Sequence, residues 1–133
     1  MTPEEKKQLV RDFSDALILG DADVTLGLMS NNPVWVFWGE ARPGVAGVRS
    51  ILEAFSQLYR RGTISCRFDR QYVDGDVVIS QMQPTATTFE GEPYENRYVS
   101  FTHLEGRKIA KVEEYLDTAY AAQKFSGWQE KTA

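Results

Sequence analysis

Two adjacent glutamates stand in the stretch "KVEEYLD", residues 111–117, which otherwise has the composition of a β-strand. Successive strand side chains point to opposite faces, so Glu113 and Glu114 cannot both face water if one face covers a core. Burial disfavours the charged form of a carboxyl group and raises its pKa toward neutrality unless a cation balances it. The inward glutamate is therefore a candidate general acid or base.

A turn at Gly106 and Arg107 predicts which glutamate faces inward. Gly106 stands first of the two central residues, as a type II′ turn requires, so the register of the last hairpin can be counted outward from it. Opposed residues share a face. The apolar face then carries Arg97, Val99, Phe101, His103, Ala110, Val112, Glu114 and Leu116. The opposite face carries Asn96, Tyr98, Ser100, Thr102, Lys111, Glu113, Tyr115 and Asp117.

Arg97 and His103 share the predicted inner face with Glu114, so these three are the predicted catalytic residues. Glu114 would move a proton, and Arg97 or His103 would stabilise developing negative charge or relay the proton. Each has a second interpretation without chemistry. Arg97 could form a buried ion pair with Glu114, and His103 could be a hydrogen-bonding residue at the sheet margin.

Composition limits the possible functions. The 133 residues are 42% hydrophobic, which suits one domain with a core, and the net charge of −4 argues against nucleic acid or an anionic membrane as partner. No apolar run approaches the ~20 residues of a membrane span, and no signal-peptide pattern opens the chain, so a cytoplasmic protein is expected. With one cysteine and one histidine, we expect no disulfide, no metal site and no cofactor, and Cys66 is interpreted as a small core or strand residue.

The sequence before residue 63 predicts three helices and one strand. The first helix begins with a capping box at Thr2 and ends at Gly20, and a short second helix, capped by an aspartate, runs to Leu28. "SNNP" breaks the chain before the strand "VWVFW", and "GEARPG" forms a loop. The third helix is predicted over residues 45–60.

After residue 63 the periodicity changes to two, which predicts a four-strand antiparallel meander. Its turns are expected at Asp74 and Gly75, at "EGEP" and at Gly106, and "TAYAAQKF" closes the chain as a helix. This order predicts a single α+β domain with helices on one face of a curved sheet. Its parts are a helical hairpin (1–30), a strand and helix (33–62), the meander (63–118) and a C-terminal tail (119–133).

Two motifs resemble the nuclear transport factor 2-like superfamily, which includes SnoaL-like polyketide cyclases, ketosteroid isomerase and limonene-epoxide hydrolase. "EGRKIAKVEEYLDTAYAAQKF" is similar to the family's closing pattern, and "RPGVAGVRSILEAF" resembles the loop and helix after the first strand. The resemblance covers nearly the whole chain. It implies a cone-shaped α+β barrel, with a curved antiparallel sheet wrapped around N-terminal helices. The open mouth would admit an apolar small molecule, and a homodimer would form through the outer sheet face.

The resemblance also implies site residues. In limonene-epoxide hydrolase a catalytic carboxylate precedes the closing tyrosine, and Glu114 occupies that position here. The Arg and Asp partners of that enzyme fall on Gln81 and Gln83, so an intact epoxide-hydrolase site is not expected. The hairpin registers place these glutamines outside the sheet whereas the family alignment places them inside, and a β-bulge near Pro84 would reconcile the two.

The catalytic residues of ketosteroid isomerase are not matched either. Its base falls near Trp38 and its oxyanion-hole acid near Val99, although a loop shift could bring Glu40 to the mouth. Aromatic residues in a short strand are more often core than ligand-binding. The residues predicted to contact a ligand are Trp35, Phe37, Trp38, Glu40, Phe55, Tyr59, Gln81, Gln83, Val99, Phe101, Val112 and Leu116.

Two functions remain open at this point. The first is a cofactor-free acid/base enzyme for a hydrophobic, aromatic or polycyclic small molecule, with isomerase, cyclase or lyase chemistry. The second is a binding or interaction module on the same fold. A cavity lined by Glu114 would favour the enzyme. Tyr98 and Tyr115, expected on the outer face, favour a homodimer.

Overall fold

The computed structural model describes residues 1–37 and 39–125. Within these ranges the helices are α1 (Pro3–Leu19), α2 (Ala22–Gly27), α3 (Gly44–Ser56) and α4 (Thr118–Lys124). The strands are β1 (Met29–Phe37), β2 (Glu40–Pro43), β3 (Ser65–Asp74), β4 (Val77–Thr87), β5 (Pro93–Glu95), β6 (Tyr98–Glu105) and β7 (Lys108–Leu116). They form one sheet in the order β2-β1-β7-β6-β4-β3, with β5 paired to β4.

The predicted α+β fold is confirmed, with the helices against a curved, unclosed sheet. The sheet is mixed, because β1 pairs with β7 in parallel while the other strand pairs are antiparallel. Buried side chains from α1, α3 and the inner sheet face form the core, among them Phe13, Trp35, Ile51 and Ile109. None of the described helices is long and apolar enough to cross a membrane.

Local signals at the N-terminus act as the sequence indicates. The Thr2 side chain accepts a hydrogen bond from the Glu5 backbone, the Glu5 side chain accepts one from the Thr2 backbone, and α1 ends at Gly20 with φ 75°. Asp21 caps α2 by accepting hydrogen bonds from two backbone N–H groups. These bonds satisfy backbone groups that a helix end leaves without intrahelical partners.

Three predicted boundaries are wrong. The "SNNP" segment lies inside β1, where a register shift against β7 between Met29 and Val34 accommodates it, and such an irregularity tolerates a proline. The "GEARPG" loop contains β2, which pairs with β1. Helix α3 ends at Ser56, because the following residues turn onto the sheet, where Tyr59 forms a β-bridge with Thr88.

The register of the last hairpin corrects the predicted facing of β6. Glu105 pairs with Lys108 as predicted, but His103 pairs with Lys111 and leaves Ala110 as an extra residue in β7. A one-residue shift reverses which side chains share a face. Tyr98, Ser100 and Thr102 therefore lie on the inner face with Glu114, whereas Val99, Phe101 and His103 lie on the outer face.

The close approach of α3 to β2 predicts a large effect of one small substitution. A Cβ at Gly47 would lie 2.9 Å from the carbonyl carbon of Arg42, so Gly47→Ala requires the backbone to move. We expect a loss of about 1–3 kcal/mol in the free energy of unfolding, measured by urea denaturation. Gly27→Ala is the matched control, since nothing lies within 4 Å of its added Cβ. Equal stabilities of the two variants would contradict this packing.

Candidate functional site

A cavity of about 550 Å³ lies between the helices and the inner face of the sheet. Apolar and small side chains of α1, α3, β3 and β4 form most of its wall, including Leu17, Ile18, Leu52, Phe55, Cys66, Met82, Pro84 and Ala86. Leu19, Arg61 and Phe89 are exposed and lie at its mouth. Its polar end is formed by Glu114 with Tyr59, Tyr94 and Tyr98.

Glu114 lines the cavity, as the alternation along β7 predicts. Burial raises the pKa of its carboxyl group to about 7, and the indole N–H of Trp35 opposes part of that shift. Among the described residues, no basic side chain contributes to the pKa of Glu114. The carboxyl group therefore exchanges its proton near neutral pH, while one side remains accessible from the cavity.

Trp35 in β1 places its indole N–H beside the carboxyl group of Glu114. The side chain is 1% exposed and is held between Phe13 and Phe55, with ring centroids 5.8 and 5.9 Å away. Within the described part of the chain, its buried Nε1 has no partner at full hydrogen-bond geometry. The N–H nevertheless interacts with the Glu114 carboxyl group and favours its charged form, which is why it lowers the pKa of that group.

Tyrosine hydroxyl groups form the remainder of the polar end. The Oη atoms of Tyr94 and Tyr98 are 3.0 Å apart, and Asn96 Nδ2 donates to Tyr94 Oη at 2.9 Å. The ring of Tyr59 packs on that of Tyr94, with centroids 5.6 Å apart. Burial raises the pKa of all three phenols above the ordinary value, so they stay protonated and can donate hydrogen bonds.

The structure separates two of the predicted catalytic residues from Glu114. Arg97 is exposed just before β6 and does not line the cavity. His103 lies on the outer face, where its Nε2 is 2.6 Å from Glu113 Oε1. Partial burial raises the pKa of Glu113, but the hydrogen bond to His103 and the charge of Lys111 lower it more, so it stays below its ordinary value. The extra residue at Ala110 is the physical reason for this correction.

The predicted ligand-contacting residues lie in different parts of the structure. Phe55 and Tyr59 line the cavity. Trp35, Phe37, Val112 and Leu116 pack in the core around the cavity. Val99 and Phe101 lie on the outer face, and Glu40 is exposed and pairs with Arg42 at 3.2 Å. Trp38 lies outside the described residues.

Gln81 and Gln83 face outward, as the hairpin registers predict and contrary to the family alignment. Gln81 is exposed, and Gln83 hydrogen-bonds to Arg67 and Glu95. Their neighbours Met82, Pro84 and Ala86 line the cavity instead. The bulge of this hairpin lies in β3, between Phe68 and Arg70, rather than near Pro84.

Sequence reasoning identifies Tyr59 but misses the other two tyrosines of the site. Counting from the turn places Tyr98 on the outer face because it does not include the bulge, and no sequence pattern marks Tyr94. The apolar alternation of Met82, Pro84 and Ala86 is the signal that could have identified the cavity wall. In the described ranges, no group of three or more His, Cys, Asp or Glu side chains could hold a metal ion.

Comparison with known proteins identifies a family whose model matches most of the chain. The family model for the SnoaL-like domain matches residues 10–112. The fold is similar to a nuclear transport factor 2-like protein of unknown function from Burkholderia pseudomallei, with TM-score 0.81 and 16% identity over 95% of this chain and 99% of that one. A protein from Jannaschia sp. CCS1, provisionally assigned as a SnoaL-like polyketide cyclase, gives TM-score 0.81 and 16% identity over 95% and 96% of the two chains.

A third similar structure was solved with a small molecule. TerC, co-crystallised with polyporic acid, gives TM-score 0.77 and 16% identity over 90% of this chain and 96% of that one. At these identities, the similarity shows the fold alone. No curated protein shows significant sequence similarity to this chain.

The raised pKa of Glu114 predicts a pH-dependent effect of Glu114→Gln. A carboxyl group whose pKa is higher in the folded state stabilises the fold while it is protonated, and this contribution is lost as the pH rises through about 7. Glutamine keeps the neutral shape at every pH. From about pH 5 to about pH 8, the variant should therefore gain stability relative to the original chain, by up to about 3 kcal/mol.

Urea denaturation across this pH range measures the difference between the two chains. Glu113→Gln is the matched control, because the pKa of Glu113 is lowered by its partners and its charge stabilises the folded state. That variant should not gain stability as the pH rises. A pH-independent difference for Glu114→Gln would show that Glu114 is not desolvated.

Proposed function

The chain belongs to the SnoaL-like domain family, and on that premise we propose that it is an acid/base enzyme for a hydrophobic small molecule. Glu114 is the group that moves the proton. One observation carries this proposal: a carboxyl group with a pKa of about 7 lines an apolar cavity, and no cation among the described residues offsets its charge. Such a group is costly to bury, and its proton is available near neutral pH.

The neighbouring hydroxyl groups supply the second requirement of this chemistry. When a proton leaves a carbon next to a carbonyl group, the C–H electron pair moves into the enolate and negative charge develops on the carbonyl oxygen. Tyr98, which lines the cavity on the strand next to Glu114, can donate a hydrogen bond to that oxygen. Because burial raises the pKa of Tyr98, it donates without losing its own proton.

The proposed reaction needs two proton transfers. The Glu114 carboxylate takes the proton from the α-carbon and becomes a neutral acid, while the enolate oxygen accepts hydrogen bonds. Glu114 then gives a proton to the same carbon, to another carbon of the enolate or to a leaving oxygen. The first outcome is exchange when the Glu114 proton has been replaced from water, and the other two are isomerisation and elimination. In a cyclase, the enolate carbon would attack a second carbonyl carbon of the ligand, and Glu114 would give its proton to the alkoxide oxygen that forms.

The cavity indicates the class of ligand. A volume of about 550 Å³ and mostly apolar walls suit an aromatic or polycyclic molecule with one or two polar groups. The polyporic acid used with the similarly folded TerC is consistent with this class of ligand. Phe55 and Tyr59 would pack against the ring system, and the mouth at Phe89 would admit it.

A non-catalytic binding module is the second candidate function. It is favoured by the outward positions of Arg97 and His103, which leave Glu114 without the two expected partners.

We also expect a second copy of the chain to cover the outer face of β6 and β7. Phe101 and Tyr115 pack there with ring centroids 5.8 Å apart, and Tyr115 is 55% exposed.

Proton exchange tests the catalytic proposal without the natural substrate. The protein should accelerate loss of the α-protons of β-tetralone in heavy water, followed by NMR, with an acid limb in the pH profile near 7. Glu114→Gln should lower this rate by about 10²–10⁴-fold because the proton acceptor is absent. Tyr98→Phe should lower it by about 10²–10³-fold through loss of the oxyanion donor.

Glu113→Gln is the control, since it removes the neighbouring carboxylate on the outer face. Its exchange rate should equal that of the original chain. Binding of β-tetralone without accelerated exchange would favour the binding module. Accelerated exchange that survives Glu114→Gln would contradict the role of Glu114.

A further inference from the structure

The buried side chain of Asn96 holds a fixed orientation behind the cavity. Its Oδ1 accepts hydrogen bonds from the backbone N–H of Arg97 at 2.7 Å and of Asp117 at 3.2 Å. Its Nδ2 donates to the Asp117 carbonyl at 3.2 Å and to Tyr94 Oη at 2.9 Å. Two backbone donors fix which end of the amide is oxygen, so the nitrogen must face Tyr94.

This orientation gives the hydrogen bonds a direction. Tyr94 Oη accepts from Asn96, so its single proton is available for Tyr98 Oη, 3.0 Å away. Either hydroxyl group of this pair could donate. With Tyr94 as the donor, Tyr98 Oη accepts and keeps its own proton for another acceptor. Tyr98 lines the cavity together with Tyr59 and Glu114, so that proton is available to a ligand at the polar end, where the Tyr59 hydroxyl group competes as an acceptor.

We propose that Asn96 is a positioning residue that sets the direction of the chain Asn96→Tyr94→Tyr98 and so makes Tyr98 a hydrogen-bond donor toward the cavity. The inference rests on the proposed function and deepens it. Asn96 does not line the cavity and would touch no ligand. Because of these hydrogen bonds, the polar end of the cavity should bind a ligand group that accepts hydrogen bonds more tightly than an apolar group of the same shape.

Asn96 also links the site to the end of the sheet. Asp117 caps α4 by accepting from the Tyr120 backbone N–H at 3.0 Å, while both backbone groups of Asp117 bond to Asn96. The chain segment between β7 and α4 therefore holds the amide that orients the tyrosines. The direction of the hydrogen bonds from Asn96 to Tyr98 therefore depends on Asn96, between β5 and β6, and on Asp117, just after β7.

A pair of ligands of similar shape measures the donor character of the site. The probes are methyl naphthyl ketone, which offers an acceptor oxygen, and isopropenylnaphthalene, which offers a methylene group in its place. The original chain should bind the ketone about tenfold more tightly than the hydrocarbon. Tyr98→Phe should abolish this preference while hydrocarbon affinity stays unchanged.

Asn96→Asp keeps the side-chain shape but puts an acceptor in place of Nδ2, which donates to both Tyr94 and the Asp117 carbonyl. The new carboxylate accepts from Tyr94, so Tyr94 accepts from Tyr98 and the Tyr98 proton turns away from the ligand. We expect the ketone preference to fall as far as in Tyr98→Phe. In Tyr94→Phe, Tyr98 can still donate to the ligand but no longer accepts a hydrogen bond from Tyr94. The ketone preference of this variant should therefore fall only about threefold.

The double variant Asn96→Asp with Tyr94→Phe separates direction from structural damage. Without the Tyr94 hydroxyl group the carboxylate cannot reverse the chain, so the preference should recover to the level of Tyr94→Phe alone. Tyr120→Phe is the matched control, because Tyr120 lies beside Tyr94 but accepts from the Glu95 backbone and does not line the cavity. Its preference should equal that of the original chain.

Each outcome has one meaning. The role of Asn96 would be overturned if Asn96→Asp kept the full ketone preference. It would also be overturned if the double variant had a ketone preference as low as that of Asn96→Asp. If Asn96→Asp does not fold, an unchanged preference in Tyr94→Phe overturns it. Equal binding of both probes by the original chain overturns the donor site but leaves the cavity proposal intact. Binding of neither probe overturns the proposed ligand site as well.

Discussion

The chemistry of the cavity depends on one extra residue in β7. Ala110 has no partner in β6, and from that point onward Ser100 rather than Val99 lies opposite Glu114. Without the bulge, Val99 and Phe101 would surround the carboxyl group and Tyr98 would face outward. With it, hydroxyl groups share the inner face with Glu114, and the buried hydroxyls of Ser100 and Thr102 lie 3.3 Å apart and bond to each other.

The buried position of Glu114 lowers the stability of the fold, whereas the proposed proton transfer requires that position. A charged carboxyl group in the wall of an apolar cavity opposes folding, here by up to about 3 kcal/mol, which is a substantial part of the 5–15 kcal/mol typical of a domain. An ion pair with a nearby arginine would remove the cost, but it would also lower the pKa and hold the proton acceptor in its charged form. The outward positions of Arg97 and His103 leave the carboxyl group poised near neutrality. We regard this cost as the consequence of the proposed function.

Much of this arrangement can be predicted from local sequence. The capping box at Thr2, the glycine at the end of α1 and the positive φ of Gly106 follow from backbone chemistry, and the alternation along β7 places Glu114 inside. The partners of Glu114 could not be predicted this way, because counting from a turn assumes an unbroken register. The parallel pairing of β1 with β7 and the hydrogen bonds between Asn96 and Asp117 join residues distant in sequence. No local pattern marks either of them.

The pKa of Glu114 is the property on which the account rests, and it can be measured directly. Glutamate side-chain carboxyl groups labelled with carbon-13 can be titrated by NMR, and Glu114→Gln identifies the signal of interest. The account predicts a midpoint of about 7 for this one carboxyl group. A midpoint near the ordinary value of about 4.3 would show a solvated or charge-paired carboxylate and would contradict its role as proton carrier.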